Sequence, residues 1–283
     1  MEKTGENNEN FSTTGRKTHT TQPKILILDL SGTLSKKSIG LELLAHKIGR
    51  TNAIQEYSKL RKPGIKLTEA ILRGIKLLAR HQTTVEDYHY TTDKIVKKGE
   101  LRGELLELAR YLQKRGTKVI LTNKTSQIIA ERIANQYGLN GAIGTKEKIE
   151  NGRITGVEEI LSEKEGTYKG IKTNTKINRI KEIAPEIDSK DIAVITDSID
   201  DLETIKEAGF SILYSPLHKA THQEIAEKLG LGDYIVHEGA TPEENLKLLY
   251  RLKLLLRHPG FASQPERLEA AVERLHKLNL TRF

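Results

Sequence analysis

Polar side chains that could carry out chemistry stand at the ends of three aliphatic runs. Asp29 and Thr122 directly follow runs of Ile, Leu and Val, and Asp197 follows such a run after one threonine. Short aliphatic runs that end in turn residues are typical of buried parallel strands. Ligands of open α/β sheets bind at the carboxyl ends of the strands. We therefore expect these three side chains to meet at one edge of a sheet.

A lysine completes a set suited to phosphoryl transfer. Lys176 opens a predicted helix between the second and third of these strands. Asp29 could attack phosphorus and form an aspartyl-phosphate. Thr122 could hydrogen-bond a phosphate oxygen, while Lys176 would neutralise negative charge. Asp29 and Asp197, with Asp200 or Asp201 beside Asp197, offer the hard oxygen ligands that Mg²⁺ prefers.

Each of these residues also has an ordinary structural interpretation. Thr122 could be a turn hydroxyl, and the lysine could be a solvated residue in a first helical turn, with Lys169 and Lys172 as rivals. The acidic residues of 197–201, including Asp200, could cap a helix and favour its dipole. The combination of residue types in this order, each just past a strand, favours the functional interpretation.

The alternation of strands and helices predicts an α/β protein with a Rossmann-like parallel sheet and a helical cap inserted after the first strand. The Asn151-Gly152 pair within an alternating stretch predicts a hairpin turn. The predicted strands are 25–28, 118–121, 192–195, 210–214 and 234–236. The predicted divisions are a disordered polar tail (1–23), a core (24–34 and 116–240), the cap (35–115) and a C-terminal helical extension (241–283).

Composition narrows the class of protein. The formal net charge is +8, but basic residues are mixed with Glu throughout, which does not favour a nucleic-acid-binding protein. The chain has no cysteine, so disulfides and thiolate metal sites are excluded. No stretch is apolar enough to span a bilayer, and the N-terminus lacks the apolar centre of a signal peptide. We expect a cytoplasmic protein without a membrane partner, of undetermined oligomeric state.

Four segments together resemble the motifs of the haloacid dehalogenase (HAD) superfamily. The stretch from Asp29 through Ser31, Gly32 and Thr33 resembles the first motif, and Thr122-Asn123 with its preceding strand resembles the second. Lys176 resembles the third motif, and 196–202 resembles the fourth. The resemblance implies an aspartyl-phosphate mechanism with Mg²⁺ and a small phosphorylated substrate.

The resemblance also implies roles for individual residues. By the family pattern, Mg²⁺ would be held by Asp29, the backbone carbonyl of Ser31 and Asp197, with Asp201, alone or together with Asp200, supporting the site. The loop residues Ser31, Gly32 and Thr33, together with Asn123, would bind the phosphate. The position of the cap and the segment 152–156 are similar to the phosphoserine phosphatase-like subgroup.

The chain departs from that subgroup at positions that matter for catalysis and for substrate recognition. Its phosphatases usually carry a second Asp two residues after the nucleophile, and this position is Ser31 here. A serine hydroxyl cannot act as a general acid and base near neutral pH, and such help is worth roughly 10²–10⁴-fold in rate. The cap arginine that binds the substrate carboxylate in the subgroup falls at Gly74, with Arg73 beside it. Turnover is therefore expected to be slow, and the substrate is not assigned as phosphoserine.

These features lead to one main hypothesis and two alternatives. The main hypothesis is a Mg²⁺-dependent HAD-type hydrolase or phosphotransferase acting through Asp29. The first alternative is a pseudophosphatase that binds an anion or a partner without turnover, with its basic C-terminal helices as an interaction surface or as a cover of the core. A carbon–halogen hydrolase ranks lower, because the acidic pair Asp197 and Asp201 is retained.

Overall fold

The computed structural model describes residues 22–215 and 234–280, so nearly all of the predicted N-terminal tail lies outside the described residues. A six-stranded, wholly parallel sheet forms the centre, in the order β10-β9-β8-β1-β2-β3. Its strands are β1 (Ile25–Asp29), β2 (Lys118–Asn123), β3 (Gly141–Gly144), β8 (Ile192–Thr196), β9 (Phe210–Ser215) and β10 (Tyr234–His237). A second sheet contains β4 (Lys146–Glu150), β5 (Arg153–Leu161), β6 (Gly166–Tyr168) and β7 (Ile171–Asn174).

The central strand β1 is buried on both faces. Leu26 and Leu28 belong to one apolar cluster, whereas Ile25 and Ile27 belong to another on the opposite face. The side chains of a strand alternate between faces, so an unbroken aliphatic run requires cover on both sides. The unbroken aliphatic run of β1 is therefore typical of a central strand. The predicted α/β class with a Rossmann-like parallel sheet is confirmed.

The helices that cover the sheet divide between its two faces. The first face is covered by α5 (Gly103–Gln113), α6 (Gln127–Tyr137) and α9 (Pro242–Arg257), which share the cluster around Leu26. The second face is covered by α7 (Lys176–Ile183) and α8 (Leu202–Glu207). A last helix, α10 (Pro265–Leu280), packs on α9 rather than on the sheet. The C-terminal helices therefore cover the core through α5, as one of the two interpretations of this region expected.

Five helices lie between β1 and β2. Besides α5 they are α1 (Ile39–Ile48), α2 (Arg50–Leu60), α3 (Leu67–Arg80) and α4 (Val85–Lys97). Helix α4 begins with a capping box between Thr84 and Asp87. Helix α2 is not predicted from the sequence because its apolar pattern is weak, and Ala53 is the residue that it buries.

The second sheet starts with the predicted hairpin. β4 and β5 are antiparallel, and the turn residues Asn151 and Gly152 have φ angles of 50° and 75°. Both angles are positive, as a tight two-residue hairpin turn requires. The strands β3, β6 and β7 are not predicted from the sequence, since strands of three or four residues with little aliphatic content carry no clear alternation. Helix α3 packs on β5, which links the insertion to this sheet.

None of the helices formed by the described residues is long and apolar enough to cross a membrane.

Candidate active site

The strand ends bring the predicted polar residues together at one edge of the central sheet. Asp29 lies opposite Thr122 in the register of β1 and β2, and Leu28 lies opposite Ile195 of β8. The turn after β8 then carries Asp197 to the same edge. Asp29, Thr122 and Asp197 are all buried, whereas Ser31 and Gly32 are half-buried. The loop that follows β1 is therefore more exposed than the strand ends that it borders.

The loop after β1 links the first and fourth motifs. The Thr33 hydroxyl donates to Asp197 Oδ1 at 3.1 Å and lies 3.4 Å from Asp29 Oδ2. Gly32 has a φ of 89°, and a Cβ atom there would lie 2.3 Å from Asp197 Oδ2. A side chain at this position would push the Asp197 carboxylate away. Gly32 therefore permits the close approach of the two loops.

Lys176 occupies the centre of the site. Its Nζ donates to Asp29 Oδ1 at 2.7 Å and to Asp201 Oδ2 at 2.8 Å, and the residue is fully buried. The rival lysines lie elsewhere. Lys169 pairs with Glu69 of α3 at 2.7 Å, and Lys172 lies 3.6 Å from a carboxylate of the second sheet. The structure thus brings Lys176, and neither rival, to the nucleophile candidate.

Asp201 is held by several donors at once. The Thr196 hydroxyl donates to Asp201 Oδ2 at 2.6 Å, and Lys124 Nζ lies 3.0 Å from Asp201 Oδ1. Lys124 also donates to the backbone carbonyl of Asp200. The Asp200 carboxylate instead faces Arg61 of α2 at 3.8 Å, with its side chain 39% exposed. Of the two acidic residues, Asp201 therefore belongs to the buried site.

The second motif supplies groups of different kinds. The Thr122 hydroxyl lies 3.5 Å from the backbone carbonyl of Leu28, so it bonds within the sheet. The Asn123 amide oxygen accepts from the Ser31 hydroxyl at 3.3 Å and from the Thr125 hydroxyl at 2.7 Å. Asn123 therefore ties the loop after β2 to the loop after β1.

Sequence reasoning missed two cations near the site. Lys124 could have been noticed as the residue directly after the second motif. Arg102 is buried, donates to the backbone carbonyls of Gly32 and Thr33 at 2.9 and 2.5 Å, and pairs with Glu238 at 2.8 Å. Nothing in its local sequence indicates this role, since its partners are at least 69 residues away. Arg102 fixes the carbonyl side of the loop that carries the predicted phosphate-binding residues.

Burial and charge shift the pKa values in this cluster. Burial raises the pKa of Asp29 against the opposing charge of Lys176, and the Asp201 carboxylate adds to the rise. Burial would also raise the pKa of Asp201, but Lys124 and Lys176 outweigh it and hold this pKa well below its usual range. The carboxylates in turn raise the pKa of Lys176 against the effect of its burial. Lys176 is therefore a fixed positive charge at physiological pH.

The donor set fits a small hard cation. Three buried carboxylates (Asp29, Asp197 and Asp201) face two ammonium groups, which leaves a surplus of negative charge. Within residues 22–215 and 234–280, no group of three or more acidic or histidine side chains is arranged as a metal site. Mg²⁺ needs no such group, because it commonly binds through one or two carboxylates and keeps several waters. Asp29 and Asp197, which share the Thr33 hydroxyl, satisfy that need, while Asp201 is engaged by lysines behind them.

Comparisons with curated proteins point to one enzyme family. No family model matches the chain. A phosphoserine phosphatase of Archaeoglobus fulgidus is 25% identical over 199 residues, covering 69% of this chain and 53% of that protein. A phosphoserine phosphatase of Lactococcus lactis subsp. lactis is 24% identical over 193 residues, covering 67% of this chain and 82% of that protein. The chain thus matches about half the length of the first relative and most of the second.

Solved structures share the fold. A phosphoserine phosphatase in its apo form has a TM-score of 0.57 at 19% identity, covering 80% of this chain and 98% of that one. A structure described as a phospho-aspartyl intermediate analogue of phosphoserine phosphatase has a TM-score of 0.56 at 17% identity, covering 76% and 94%. Both curated relatives are thus phosphoserine phosphatases, and solved phosphoserine phosphatase structures share the fold of this chain.

Proposed function

We propose that this chain hydrolyses a small phosphorylated compound through an aspartyl-phosphate on Asp29. The observation that carries the proposal is the buried contact between Lys176 Nζ and Asp29 Oδ1 at 2.7 Å, at the carboxyl end of the central strand. A carboxylate held in place by a fixed cation is suited to attack on phosphorus. The fold shared with a phospho-aspartyl intermediate analogue supports the same chemistry.

The first half-reaction transfers the phosphoryl group. A carboxylate oxygen of Asp29 forms a bond to phosphorus as the ester P–O bond breaks, and the alcohol leaves with a proton taken from water. Lys176 neutralises charge on the nucleophile and phosphoryl group. Bound Mg²⁺, held by Asp29, Asp197 and the Ser31 carbonyl, would supply Lewis-acid stabilisation of the phosphoryl oxygens.

The second half-reaction returns the free carboxylate. Water attacks phosphorus, the bond from phosphorus to the Asp29 oxygen breaks, and inorganic phosphate leaves. No carboxylate stands at position 31 to take the proton of this water, and the Ser31 hydroxyl donates instead to Asn123. General-base help is worth roughly 10²–10⁴-fold. We therefore expect the aspartyl-phosphate to accumulate and discharge slowly.

Trapping this covalent intermediate tests the proposal. The protein would be mixed with Mg²⁺ and acetyl phosphate, and its intact mass and the released phosphate would be followed. We expect wild type to gain one phosphoryl group and Asp29→Asn to gain none. Asp191→Asn is the matched control, because Asp191 pairs with Lys24 next to the opposite end of β1 and is expected to leave labelling intact. Phosphatase activity that survives Asp29→Asn would exclude the mechanism.

The same experiment distinguishes hydrolysis from the alternative function, that of a pseudophosphatase. A pseudophosphatase would bind Mg²⁺ and phosphate without being labelled or releasing phosphate. Ser31 and the glycine at position 74, where the subgroup carries its substrate-binding arginine, motivate this alternative. Labelling of wild type would count against it. The cytoplasmic location expected from the sequence stays a prediction.

A further inference from the structure

A small cavity lies in the helical insertion beside the candidate active site. We call it the cap cavity; its volume is about 60 Å³. Helices α1, α2, α3 and α4 contribute its walls, which are mainly aliphatic. Among the lining residues are Leu43, Leu44, Leu60, Ile71, Ile75 and Leu78. Such a lining favours an uncharged, apolar group over an ionic one.

Two lining residues connect the cap cavity to the active-site loops. Thr125 lines the cavity and donates to Asn123, which in turn accepts from Ser31. Arg61 lines the cavity at the end of α2 and faces the Asp200 carboxylate after β8 at 3.8 Å. The cavity therefore borders both the second and the fourth motif. A substrate with its phosphate at Asp29 has this cavity as a neighbour for its alcohol portion.

The polar groups of the lining are mostly occupied or uncharged. The Tyr57 hydroxyl accepts from Ser38 at 2.8 Å. Burial, aided by the Glu147 carboxylate, raises the pKa of Tyr88 well above its ordinary value, so this phenol stays neutral. Among the described lining residues Arg61 is the only charged one, and the carboxylate of Asp200 is its partner. The lining thus offers no unpaired charge to the ammonium or carboxylate of an amino acid.

One of the residues that line the cap cavity is a glycine, which has no side chain. Gly74 lines the cavity from α3, and a Cβ atom there would meet Leu60 Cδ1 at 3.5 Å. The neighbouring Arg73 turns away, pairs with Glu69 at 2.5 Å and has a side chain that is 54% exposed. The arginine next to the glycine therefore does not reach into the cavity to bind a carboxylate.

From this geometry we propose that the substrate is a phosphate monoester whose alcohol portion is a short alkyl group seated in the cap cavity. The inference rests on the proposed function of the same site. An apolar cavity of about 150 Å³ holds one benzene, so 60 Å³ corresponds to about two or three carbon atoms. Each buried methylene contributes about fourfold to binding. An amino-acid phosphate would instead leave buried charges unpaired.

A substrate series tests the proposal. The value of kcat/KM would be measured for methyl, ethyl, propyl and butyl phosphate and for O-phosphoserine. We expect kcat/KM to rise about 16-fold from methyl to propyl phosphate, which is about fourfold for each added methylene, and then to level off. O-Phosphoserine should be used less well than propyl phosphate. A flat series, or a preference for O-phosphoserine, would overturn the inference.

Variants test whether the rise in kcat/KM with the length of the alkyl group depends on the cap cavity. Gly74→Leu places an aliphatic side chain against the cavity wall and should abolish the gain from methyl to propyl phosphate. Lys76→Leu adds the same side chain on the exposed side of α3 and should keep the gain. Thermal unfolding checks that each variant is folded. If Gly74→Leu does not fold, Gly74→Ala, for which only the contact with Leu60 is expected, should show a reduced gain. If the folded Gly74 variant keeps the full gain in kcat/KM from methyl to propyl phosphate, the placing of the alkyl group in the cap cavity is wrong.

Labelling by acetyl phosphate separates this inference from the proposed function. Acetyl phosphate carries only a small organic group, so it tests phosphorylation of Asp29 without requiring the cap cavity. If Asp29 is labelled while the alkyl series is flat, the substrate class is wrong and the mechanism stands. If wild type is neither labelled nor active on any of these esters, both proposals fail.

Discussion

At the residue scale, Ser31 is the position at which the chemistry of this chain departs most from its family resemblance. It is half-buried beside Asn123 and lies two residues after the candidate nucleophile. Its hydroxyl is a donor and acceptor that does not ionise near neutral pH. The residue therefore leaves the nucleophile in place but removes the group that would protonate the leaving alcohol in the first step and activate water in the second.

Ser31→Asp should shorten the lifetime of the aspartyl-phosphate. We expect discharge to accelerate roughly 10²-fold or more, because a carboxylate at this position can accept the proton of the attacking water. Phosphate release after labelling with acetyl phosphate measures the rate. Ser31→Asn has a similar shape but no carboxylate, so it should discharge at the wild-type rate. Equal acceleration by both variants would show that loop shape, rather than proton transfer, limits discharge.

At the element scale, β4 carries a carboxylate in an unfavourable environment. Glu147 is 6% exposed, and neither of its carboxylate oxygens has a hydrogen-bond partner within the described structure. Burial raises the pKa of Glu147 to about 7. The folded state therefore binds this proton more tightly than the unfolded chain, in which the pKa is near 4.5. Its stabilising contribution is complete below pH 4.5 and is lost as the pH rises through 7.

Glu147→Gln should flatten this pH dependence. Ionising the wild-type carboxyl group costs up to about 3 kcal/mol between pH 4.5 and 8, and the amide does not ionise. The free energy of unfolding by urea at pH 5 and pH 8 measures the difference. Glu150→Gln on the same strand is the control, since its side chain is 54% exposed and should leave the difference unchanged. A Glu147→Gln variant with the wild-type pH dependence would contradict the assignment of the raised pKa.

At the scale of the whole molecule, the C-terminal helices form part of the fold. Helix α9 buries five leucines and packs on α5, and α10 packs on α9. Leu252 and Leu268 are fully buried at these contacts. The helices therefore extend the apolar core beyond the first face of the sheet. Their basic residues are spread among acidic partners, as in the pair of Arg251 with Glu269.

Leu252→Ala should destabilise the whole protein. Removing a buried leucine side chain costs about 2–5 kcal/mol, since it loses apolar burial and leaves a cavity. Urea unfolding followed by circular dichroism measures the loss, and a single cooperative transition would show that the helices unfold with the core. Leu278→Ala on α10 is the control, because Leu278 is 54% exposed. A loss below 0.5 kcal/mol for Leu252→Ala, or separate transitions, would show that the helices are an independent unit.

The sequence by itself determined the central strands and the residues at their ends. Aliphatic runs closed by Asp29, Thr122 or Asp197 are local patterns, and parallel pairing makes their carboxyl ends coincide. These local patterns therefore predict which residues lie at the carboxyl edge of the sheet, without knowledge of distant contacts. Short strands such as β3 and β7 escaped because a few residues carry too little periodicity.

Tertiary structure alone decided which side chains meet at that edge. The hydrogen bond from Thr33 to Asp197 joins residues 164 positions apart. The hydrogen bonds from the Arg102 side chain to the carbonyls of Gly32 and Thr33 span 70 and 69 positions. The choice of Lys176 over Lys169 and the arrival of Lys124 at Asp201 likewise depend on where helices and loops pack. Long-range side-chain contacts are set by packing, which local spacing does not encode. The cap cavity has the same origin, because its walls come from four helices that only packing brings together.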